Sequence, residues 1–205
     1  MAGRTPKGEE RRRLLCDAAI QALADEGAKG LSHPKVDQRA GVAPGSTSFY
    51  FRTRAALLLA TTERVCELDL ADMTAVLNAD DETSAPDGIS PFTALVVRSA
   101  QEPLLSRTKA RLELILQAGR DPALAAVFQN NAALFSRVQR DVVVRSQPGR
   151  RLDPAVISAQ TAATLNYVSG LFMRLVIGQQ PFESGEELDR TLNGISQGIA
   201  AVYES

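Results

Sequence analysis

The chain has 205 residues, of which 44% are hydrophobic and 23% are charged, and it is long enough to bury a core in one large domain or in two smaller ones. The formal net charge is -1, but residues 1–64 hold 11 Lys and Arg against 7 Asp and Glu, a net of +4, while the remainder has a net of -5. This asymmetry excludes a uniformly basic nucleic-acid binder and predicts that only the N-terminal third meets nucleic acid.

The first predicted helix follows a basic tail. Residues 1–8 are predicted to be mobile, and helix 1 to run from about residue 11 to residue 25. Three arginines, Arg11, Arg12 and Arg13, lie at its predicted start. Cations there oppose the helix dipole, which favours a contact with phosphate over a merely solvated face.

Helix 2 is predicted over residues 32–40. Ser32 or His33 can cap it, and Pro34 fits a first helical turn. His33 is the only histidine of the chain and has no partner of catalytic type nearby, so we interpret it as a surface capping residue. Lys35, near the same helix start, is a candidate phosphate contact.

The stretch from Gly41 to Arg54 contains a glycine that interrupts the helical pattern, a short helix, and two arginines at the start of the next helix. Gly41 is suited to the left-handed position just past helix 2, and Pro44 to the first turn of helix 3. Residues 46–48 supply small hydroxyls, and residues 49–51 supply aromatic rings. A short helix of this kind after a glycine turn is typical of the second helix of a helix-turn-helix, which lies in a major groove about 12 Å wide. A buried turn between two core helices is the alternative.

The segment from Arg11 to Val65 resembles the DNA-binding domain of the TetR family of transcriptional regulators. The residues that carry the resemblance are Leu15–Ile20, Glu26–Gly27, Leu31–Ser32, Val36, Ala40–Val42, Gly45–Ser46, Tyr50–Phe51 and Arg54–Leu57. The resemblance implies an all-α protein with a helix-turn-helix domain over residues 1–54 and a helical effector-binding and dimerisation domain over residues 55–205. It further implies a homodimer that binds a palindromic double-stranded DNA operator. The sequence shows no secretion signal and no membrane span, which predicts a cytoplasmic protein. A small-molecule effector is expected to release this repressor, although the residues leave an activator open.

The predicted DNA-binding residues lie on helices 2 and 3 and at the start of helix 4. They are Lys35, Pro44, Ser46, Thr47, Ser48, Phe49, Tyr50, Arg52 and Arg54. Three positions depart from the family pattern. Ala43 replaces the usual Ser or Thr, so the N-cap oxygen is absent, at a cost of about 0.5–2 kcal/mol. Ser48 stands where a Tyr often reaches phosphate, and Asp37 replaces a small packed residue.

The rest of the chain is predicted to be entirely helical, giving about nine helices. Helix 4 is predicted to be long, from Thr53 to about Asn78, and a polar loop to follow over residues 79–91. Five further helices are predicted, several of them with a Pro at the start. Their expected ranges are 90–101, 104–118, 121–146, 153–178 and 184 to near the C-terminus.

The last two helices carry the clearest apolar pattern. On helix 9, Leu188, Leu192, Ile195, Ile199 and Val202 repeat at spacings of 4, 3, 4 and 3, and helix 8 carries Ala163 and Gly170 in a comparable arrangement. Packing of the two helices within one chain accounts for part of this pattern. We also predict that these residues form a four-helix bundle with a second subunit.

The resemblance implies an effector cavity in the helical body, whereas aromatic residues at helical spacing alone indicate core. The candidate lining residues are Phe92, Leu95, Leu116, Phe128, Phe135, Asn166, Tyr167 and Met173, with the amide and phenol as polar handles. A DNA-binding protein with a closed, ligand-free body is the alternative, and thermal-shift screening distinguishes the two.

An enzyme or carrier is the less favoured class. The sequence has no Gly-rich phosphate loop, no His, Cys, Asp and Glu cluster with metal-ligand spacing, and no nucleophile paired with a histidine. We therefore predict no catalytic residues, no cofactor and no metal. Cys16 and Cys66 fall on apolar helix positions and are predicted to be buried, inert thiols, with a redox pair as the alternative. No secretion signal and no membrane span of roughly 20 apolar residues is expected.

Overall fold

A computed structural model describes residues 6–79, 88–147 and 149–204. Within these ranges the chain is all-α and contains no strand, as predicted. The nine α-helices of the described residues are α1 (Pro6–Glu26), α2 (His33–Arg39), α3 (Ser46–Tyr50), α4 (Arg54–Asn78), α5 (Pro91–Arg98), α6 (Leu104–Ala118), α7 (Pro122–Arg145), α8 (Pro154–Val176) and α9 (Gly185–Glu204). A short 3-10 turn over Gly27–Lys29 follows α1.

Several helix starts have the local chemistry that predicted them, but Ser32, which was expected to be able to cap α2, makes no side-chain capping bond. Asp153 precedes the proline that opens α8, and its Oδ1 accepts from the Ala155 amide at 2.7 Å. Ser90 caps α5 by accepting from the Thr93 amide at 3.2 Å. Each side chain binds an amide that has no partner inside its own helix, which stabilises the first turn.

Two predicted boundaries were wrong. α1 begins at Pro6, so the last three residues of the predicted tail, 6–8, are helical, while residues 1–5 lie outside the described part. α5 ends at Arg98 rather than near residue 101. Most of the predicted loop over residues 79–91 lies in the undescribed segment 80–87.

The chain divides into two compact units. Unit 1 comprises residues 1–69 and 106–131, and unit 2 comprises residues 70–105 and 132–205. These units differ from the predicted functional domains, 1–54 and 55–205, because part of α4, α6 and the beginning of α7 are counted with the N-terminal helices. The functional boundary near residue 54 therefore stays a prediction.

Unit 1 has its own hydrophobic core. α1 packs on α2, and α2 packs on α3. Leu15, Leu57 and Leu114 are fully buried members of this core, contributed by α1, α4 and α6. On α4, Arg64 pairs with Asp17 of α1 at 2.8 Å. The apolar core and this ion pair fix α1 against α4.

Unit 2 forms a second core from α5, α8 and α9 together with the C-terminal part of α4. α8 packs against α9, and α5 also packs against α9. Val96, Leu171 and Leu188 are buried at its centre. No helix among the described residues is long and apolar enough to span a membrane.

Candidate nucleic-acid interface and ligand cavity

Two glycines shape the turn between α2 and α3. Gly41 has φ 64° and Gly45 has φ 89°, both in the left-handed region that glycine adopts with little strain. The prediction for Gly41 is thereby confirmed. Gly45 is the N-cap of α3 and Ser46 its first residue, so Pro44 lies in the turn rather than in the first turn of helix 3, as had been predicted.

The N-terminus of α3 is capped by a carboxylate from α2. The Gly45 amide donates to Oδ2 of Asp37 at 2.7 Å. The amide and the hydroxyl of Thr47 both donate to Oδ1, at 2.7 and 2.6 Å. Asp37 is only 4% exposed. The N-cap of α3 is Gly45 and not Ala43, as had been expected, and Asp37 supplies from a neighbouring helix the capping oxygen that a glycine lacks.

The environment of Asp37 favours its charged form. Desolvation by burial opposes ionisation, but the hydrogen bonds from Thr47 and Gly45 outweigh it, so the pKa of Asp37 lies below its usual value. Hydrogen bonds to a charged group stabilise a fold by about 1.5–3 kcal/mol each. A satisfied network of this kind fixes the angle between α2 and α3.

The C-terminal end of α3 is held from two other helices. Nη1 of Arg12, on α1, donates to the Tyr50 carbonyl oxygen at 3.1 Å, and its guanidinium lies 4.4 Å from the centre of the Phe51 ring. Nε2 of His33 donates to the Phe51 carbonyl oxygen at 2.7 Å. His33 is therefore half-buried and tied to the end of α3, and the prediction of a surface cap was wrong because that ring nitrogen has a tertiary partner.

The outward side of the α2–α3 turn and of α3 carries a small set of side chains, which we call the α3 face: Pro44, Ser48, Phe49 and Arg52, all of them exposed. Phe49 is 75% exposed and packs edge-on against Tyr50, with ring centroids 5.2 Å apart. The Phe49 ring and the Ser48 hydroxyl on α3 match contacts to a thymine methyl group and to a base edge, and the guanidinium of Arg52, just after the helix, matches a phosphate contact.

Three other predicted contacts on α3 are placed differently. Thr47 is fully buried, because its hydroxyl donates to Asp37, so it has no surface for DNA. The Ser46 hydroxyl donates to the Ala43 carbonyl oxygen at 2.6 Å. Tyr50 is half-buried against the core of unit 1. The structure therefore corrects the prediction for Thr47 and leaves Ser46 and Tyr50 at the margin of the α3 face.

The predicted cations near the α3 face also have partners within the protein. Lys35 forms an ion pair with Glu26. Arg54 donates to the Leu31 carbonyl oxygen at 3.1 Å and to the Ala28 carbonyl oxygen at 2.7 Å. Arg54 therefore fastens the start of α4 to the segment before α2, in addition to any contact it makes with phosphate.

The three arginines of α1 lie in its second turn, because the helix begins at Pro6. The prediction that these arginines oppose the helix dipole is therefore wrong, since the dipole acts on side-chain charges mainly in the first turn. Arg12 holds α3, and Arg13 lies 3.7 Å from Glu67 of α4.

A cavity of about 130 Å³ lies within unit 2. Its walls come from the end of α4, the start of α5, the C-terminal half of α7, and the facing sides of α8 and α9. Val76, Phe92 and Leu192 line it with apolar surface, whereas Gln139 and Asp189 add polar groups. An apolar cavity with a few polar groups is the usual form of a small-molecule site.

The predicted effector residues and this cavity have only Phe92 in common. Leu95 is buried in the core of unit 2, and Phe135 and Tyr167 pack against that core. Phe128 packs against the core of unit 1 instead. Leu116 and Met173 are 72% and 56% exposed, and Asn166 is exposed as well. Helical periodicity could not distinguish core from cavity, and it gave no signal for Gln139.

The predicted dimer residues also separate into two groups. Leu188 and Leu192 are buried in the core of unit 2, a correction that follows from the packing of α9 on α5 and α8. Ala163, Ile195 and Ile199 are half-buried, while Gly170 and Val202 are exposed.

The exposed sides of α8 and α9 include Gly170, Met173, Gly194, Gly198 and Val202, which we call the α8–α9 face. A Cβ built on any of the three glycines meets no atom within 4 Å.

Both thiols are buried and unpaired. Burial raises the pKa of Cys16 to about 12 and that of Cys66 to about 11. Thiolate is the reactive form, so both groups are inert near neutral pH. This agrees with the predicted inert thiols.

Comparisons with known proteins agree with these geometries. A family model described as "Bacterial regulatory proteins, tetR family" matches residues 15–61. Another, described as "Tetracyclin repressor-like, C-terminal domain", matches residues 87–198. No curated protein sequence matches the chain significantly.

Several solved structures share the fold. A transcriptional regulator from Rhodococcus sp. Rha1 superimposes with a TM-score of 0.69 at 18% identity, covering 92% of this chain and 95% of that one. A TetR-family member from Streptomyces coelicolor A3 gives 0.66 at 24% identity, covering 91% and 98%. The multidrug binding protein EbrR, solved with ethidium, gives 0.60 at 24% identity, covering 94% and 99%.

Proposed function

Since the chain belongs to the TetR family of bacterial regulatory proteins, which are DNA-binding regulators of transcription, we propose that it is a repressor that binds a palindromic operator as a homodimer and is released by a small molecule. The observation that carries the DNA-binding part is the α3 face. It projects Ser48 and Phe49 outward from a helix whose N-terminus is held by Asp37 and whose C-terminus is held by Arg12 and His33.

This helix has few long polar side chains, so it reads DNA through the Ser48 hydroxyl, through apolar contact of Phe49 with thymine methyl groups, and through groove shape. Arg52 supplies a phosphate contact, and Lys35 and Arg54 are further candidates. Holding α3 at both ends lowers the entropy lost on binding, since less of the helix has to become ordered.

The α8–α9 face supports the homodimer. Three glycines with open space around them allow the helices of a second copy to approach closely, and Met173 and Val202 provide apolar contact. Two recognition helices related by a two-fold axis then meet half-sites about 34–36 Å apart, or a multiple of that distance.

Helix α4 supports the coupling of ligand to DNA. It runs without interruption from Arg54 to Asn78, so one helix contributes Leu57 to the core of unit 1 and Val76 to the cavity wall. A ligand that displaces the end of this helix changes the spacing of the two recognition helices. A coupling free energy of about 1–3 kcal/mol corresponds to a 5–150-fold loss of operator affinity.

Selection of bound duplexes from a random pool tests the DNA-binding part. We expect a palindrome whose bases are protected by a dimer. In a titration against salt, Arg52→Ala lowers the slope of log K by about 0.9 per half-site, because one phosphate contact is lost in each. The effect of Arg54→Ala on DNA binding is harder to interpret, since this substitution also removes hydrogen bonds to the carbonyl oxygens of Leu31 and Ala28. A pool with no enriched sequence, or binding as a monomer, would contradict the proposal.

The release step is tested by linkage. A ligand found by thermal shift is titrated against the free protein and against the protein–operator complex. Reciprocal coupling requires weaker ligand binding in the complex. Equal ligand affinity of the free protein and of the complex would contradict the release mechanism and favour a ligand-independent DNA-binding protein.

A further inference from the structure

The wall of the cavity in unit 2 contains an unsatisfied amide. Gln139 is fully buried and lines the cavity from α7. Across the described residues, its Nε2 and Oε1 are the only buried side-chain nitrogen and oxygen atoms without a hydrogen-bond partner. Such groups are rare, because each costs about 1–3 kcal/mol when it is left unpaired.

Both charged side chains that line the cavity, Asp189 and Arg145, are already engaged. Oδ1 of Asp189 accepts from the Ser90 amide at 3.1 Å and from the Thr93 hydroxyl at 2.5 Å, and its Oδ2 accepts from Nδ2 of Asn193 at 3.0 Å. These bonds outweigh desolvation and hold the pKa of Asp189 below its usual value, so the group is a carboxylate near neutral pH. Arg145 at the rim donates to the Leu77 carbonyl oxygen. The cavity therefore holds one engaged negative charge and one engaged positive charge.

To be satisfied, Gln139 requires one acceptor for its Nε2 and one donor for its Oε1, placed next to each other. Around Gln139, Val142 and Val143 on the same side of α7 and Phe92 of α5 offer apolar surface. A volume of about 130 Å³ is close to the roughly 150 Å³ of an apolar cavity that holds benzene. The enclosed part of a ligand is therefore about one six-membered ring.

We propose that this cavity binds a small neutral ligand that carries a cis-amide, as in a lactam or cyclic imide, and that Gln139 determines this specificity. A cis-amide presents its N–H and C=O on the same edge and forms two parallel hydrogen bonds with a carboxamide. A ketone lacks the donor, a trans-amide presents the two groups on opposite edges, and a carboxylate lacks the donor. This inference rests on the proposed effector site and names its ligand class.

The experiment uses calorimetric titration of the full chain with δ-valerolactam at millimolar concentrations. N-methyl-δ-valerolactam, which lacks the donor, and cyclohexanone, which has the same ring size and only an acceptor, are the comparison probes. We expect the lactam to bind wild-type protein about tenfold more tightly than either, a difference of about 1.4 kcal/mol. In Gln139→Leu and Gln139→Met, two apolar replacements of different shape, the three probes are expected to bind within about threefold of one another.

Three outcomes would overturn the inference: equal binding of all probes to the wild type, no binding of the lactam because water alone satisfies Gln139, or a lactam preference that survives in both variants. Operator affinity is measured on the same samples. Operator binding without a lactam preference contradicts only the ligand class. A lactam preference without operator binding upholds the ligand class and contradicts the proposed regulator.

Discussion

The capped start of α3 and the cavity of unit 2 both bury polar side chains, but they treat them in opposite ways. At α3, both oxygens of Asp37 are engaged by amides and a hydroxyl at 2.6–2.7 Å. In the cavity, neither amide atom of Gln139 has a partner among the described residues. Both side chains are at most 4% exposed, so burial alone does not distinguish them.

The difference distinguishes a polar group that stabilises the fold from one that, in our proposal, binds a ligand. A satisfied buried network fixes one geometry, which suits a helix that must meet DNA in a set orientation. An unsatisfied group lowers stability, and a partner that supplies its hydrogen bonds recovers that free energy. We therefore expect substitutions in the two regions to change stability in opposite directions.

The largest effect is expected for Asp37→Asn. An amide nitrogen cannot accept, so the Gly45 or the Thr47 amide loses its partner, and the free energy of unfolding should fall by about 2–3 kcal/mol. Urea denaturation measures it. The matched control is Asp25→Asn, the same chemical change at a side chain that is 52% exposed and paired with Arg39, where a loss within about 1 kcal/mol is expected. Equal losses in the two variants would show that the buried cap has no special role.

The same network predicts a pH dependence. The pKa of Asp37 is lowered in the folded protein, so its contribution to stability is present above the unfolded value, about 3.9, and is lost as pH falls through the folded value. The stability difference between wild type and Asp37→Asn should therefore be constant at neutral pH and shrink below about pH 4. Urea midpoints at a series of pH values check this. A difference that grows on acidification would reverse the assigned sign.

A smaller effect of opposite sign is expected in the cavity. Gln139→Leu removes two unpaired polar atoms and keeps similar volume, so the free energy of unfolding should stay equal or rise by about 1 kcal/mol. Thr47→Val serves as the control in the satisfied region, where loss of the hydroxyl bond to Asp37 should lower stability by about 1–2 kcal/mol. If Gln139→Leu destabilised the protein as much as Thr47→Val, the Gln139 amide would have to be satisfied in the folded protein. The two regions would then not differ in the way described.

The contrast also explains what the sequence alone could predict. Helix starts such as those at Pro91 and Pro154 were predicted because the signal is local: a capping side chain directly followed by a proline. Gly41 was predicted for the same reason, as a glycine directly after a helix. The family resemblance then supplied the arrangement of the helices.

Contacts between residues that are distant in the sequence could not be predicted from such local signals. Asp37 was recognised only as a departure from the family pattern, because its partners lie eight and ten residues away across a turn. The periodic pattern of α9 grouped Leu188 and Leu192 with the dimer residues, whereas packing on α5 and α8 buries them. Periodicity identifies an apolar side of a helix and does not say which neighbour covers it.

The most direct test of the α3 face as the DNA-binding surface compares Phe49→Ala with Leu116→Ala. These two large apolar side chains are similarly exposed, at 75% and 72%, so neither substitution should change the free energy of unfolding by more than about 0.5 kcal/mol. Affinity for the selected operator is measured at one fixed salt concentration. Phe49→Ala should weaken binding at least about tenfold, because an apolar base contact is lost in each half-site, while Leu116→Ala should bind like the wild type. Wild-type affinity in Phe49→Ala would contradict the account, since α3 would then not be the helix that reads the DNA.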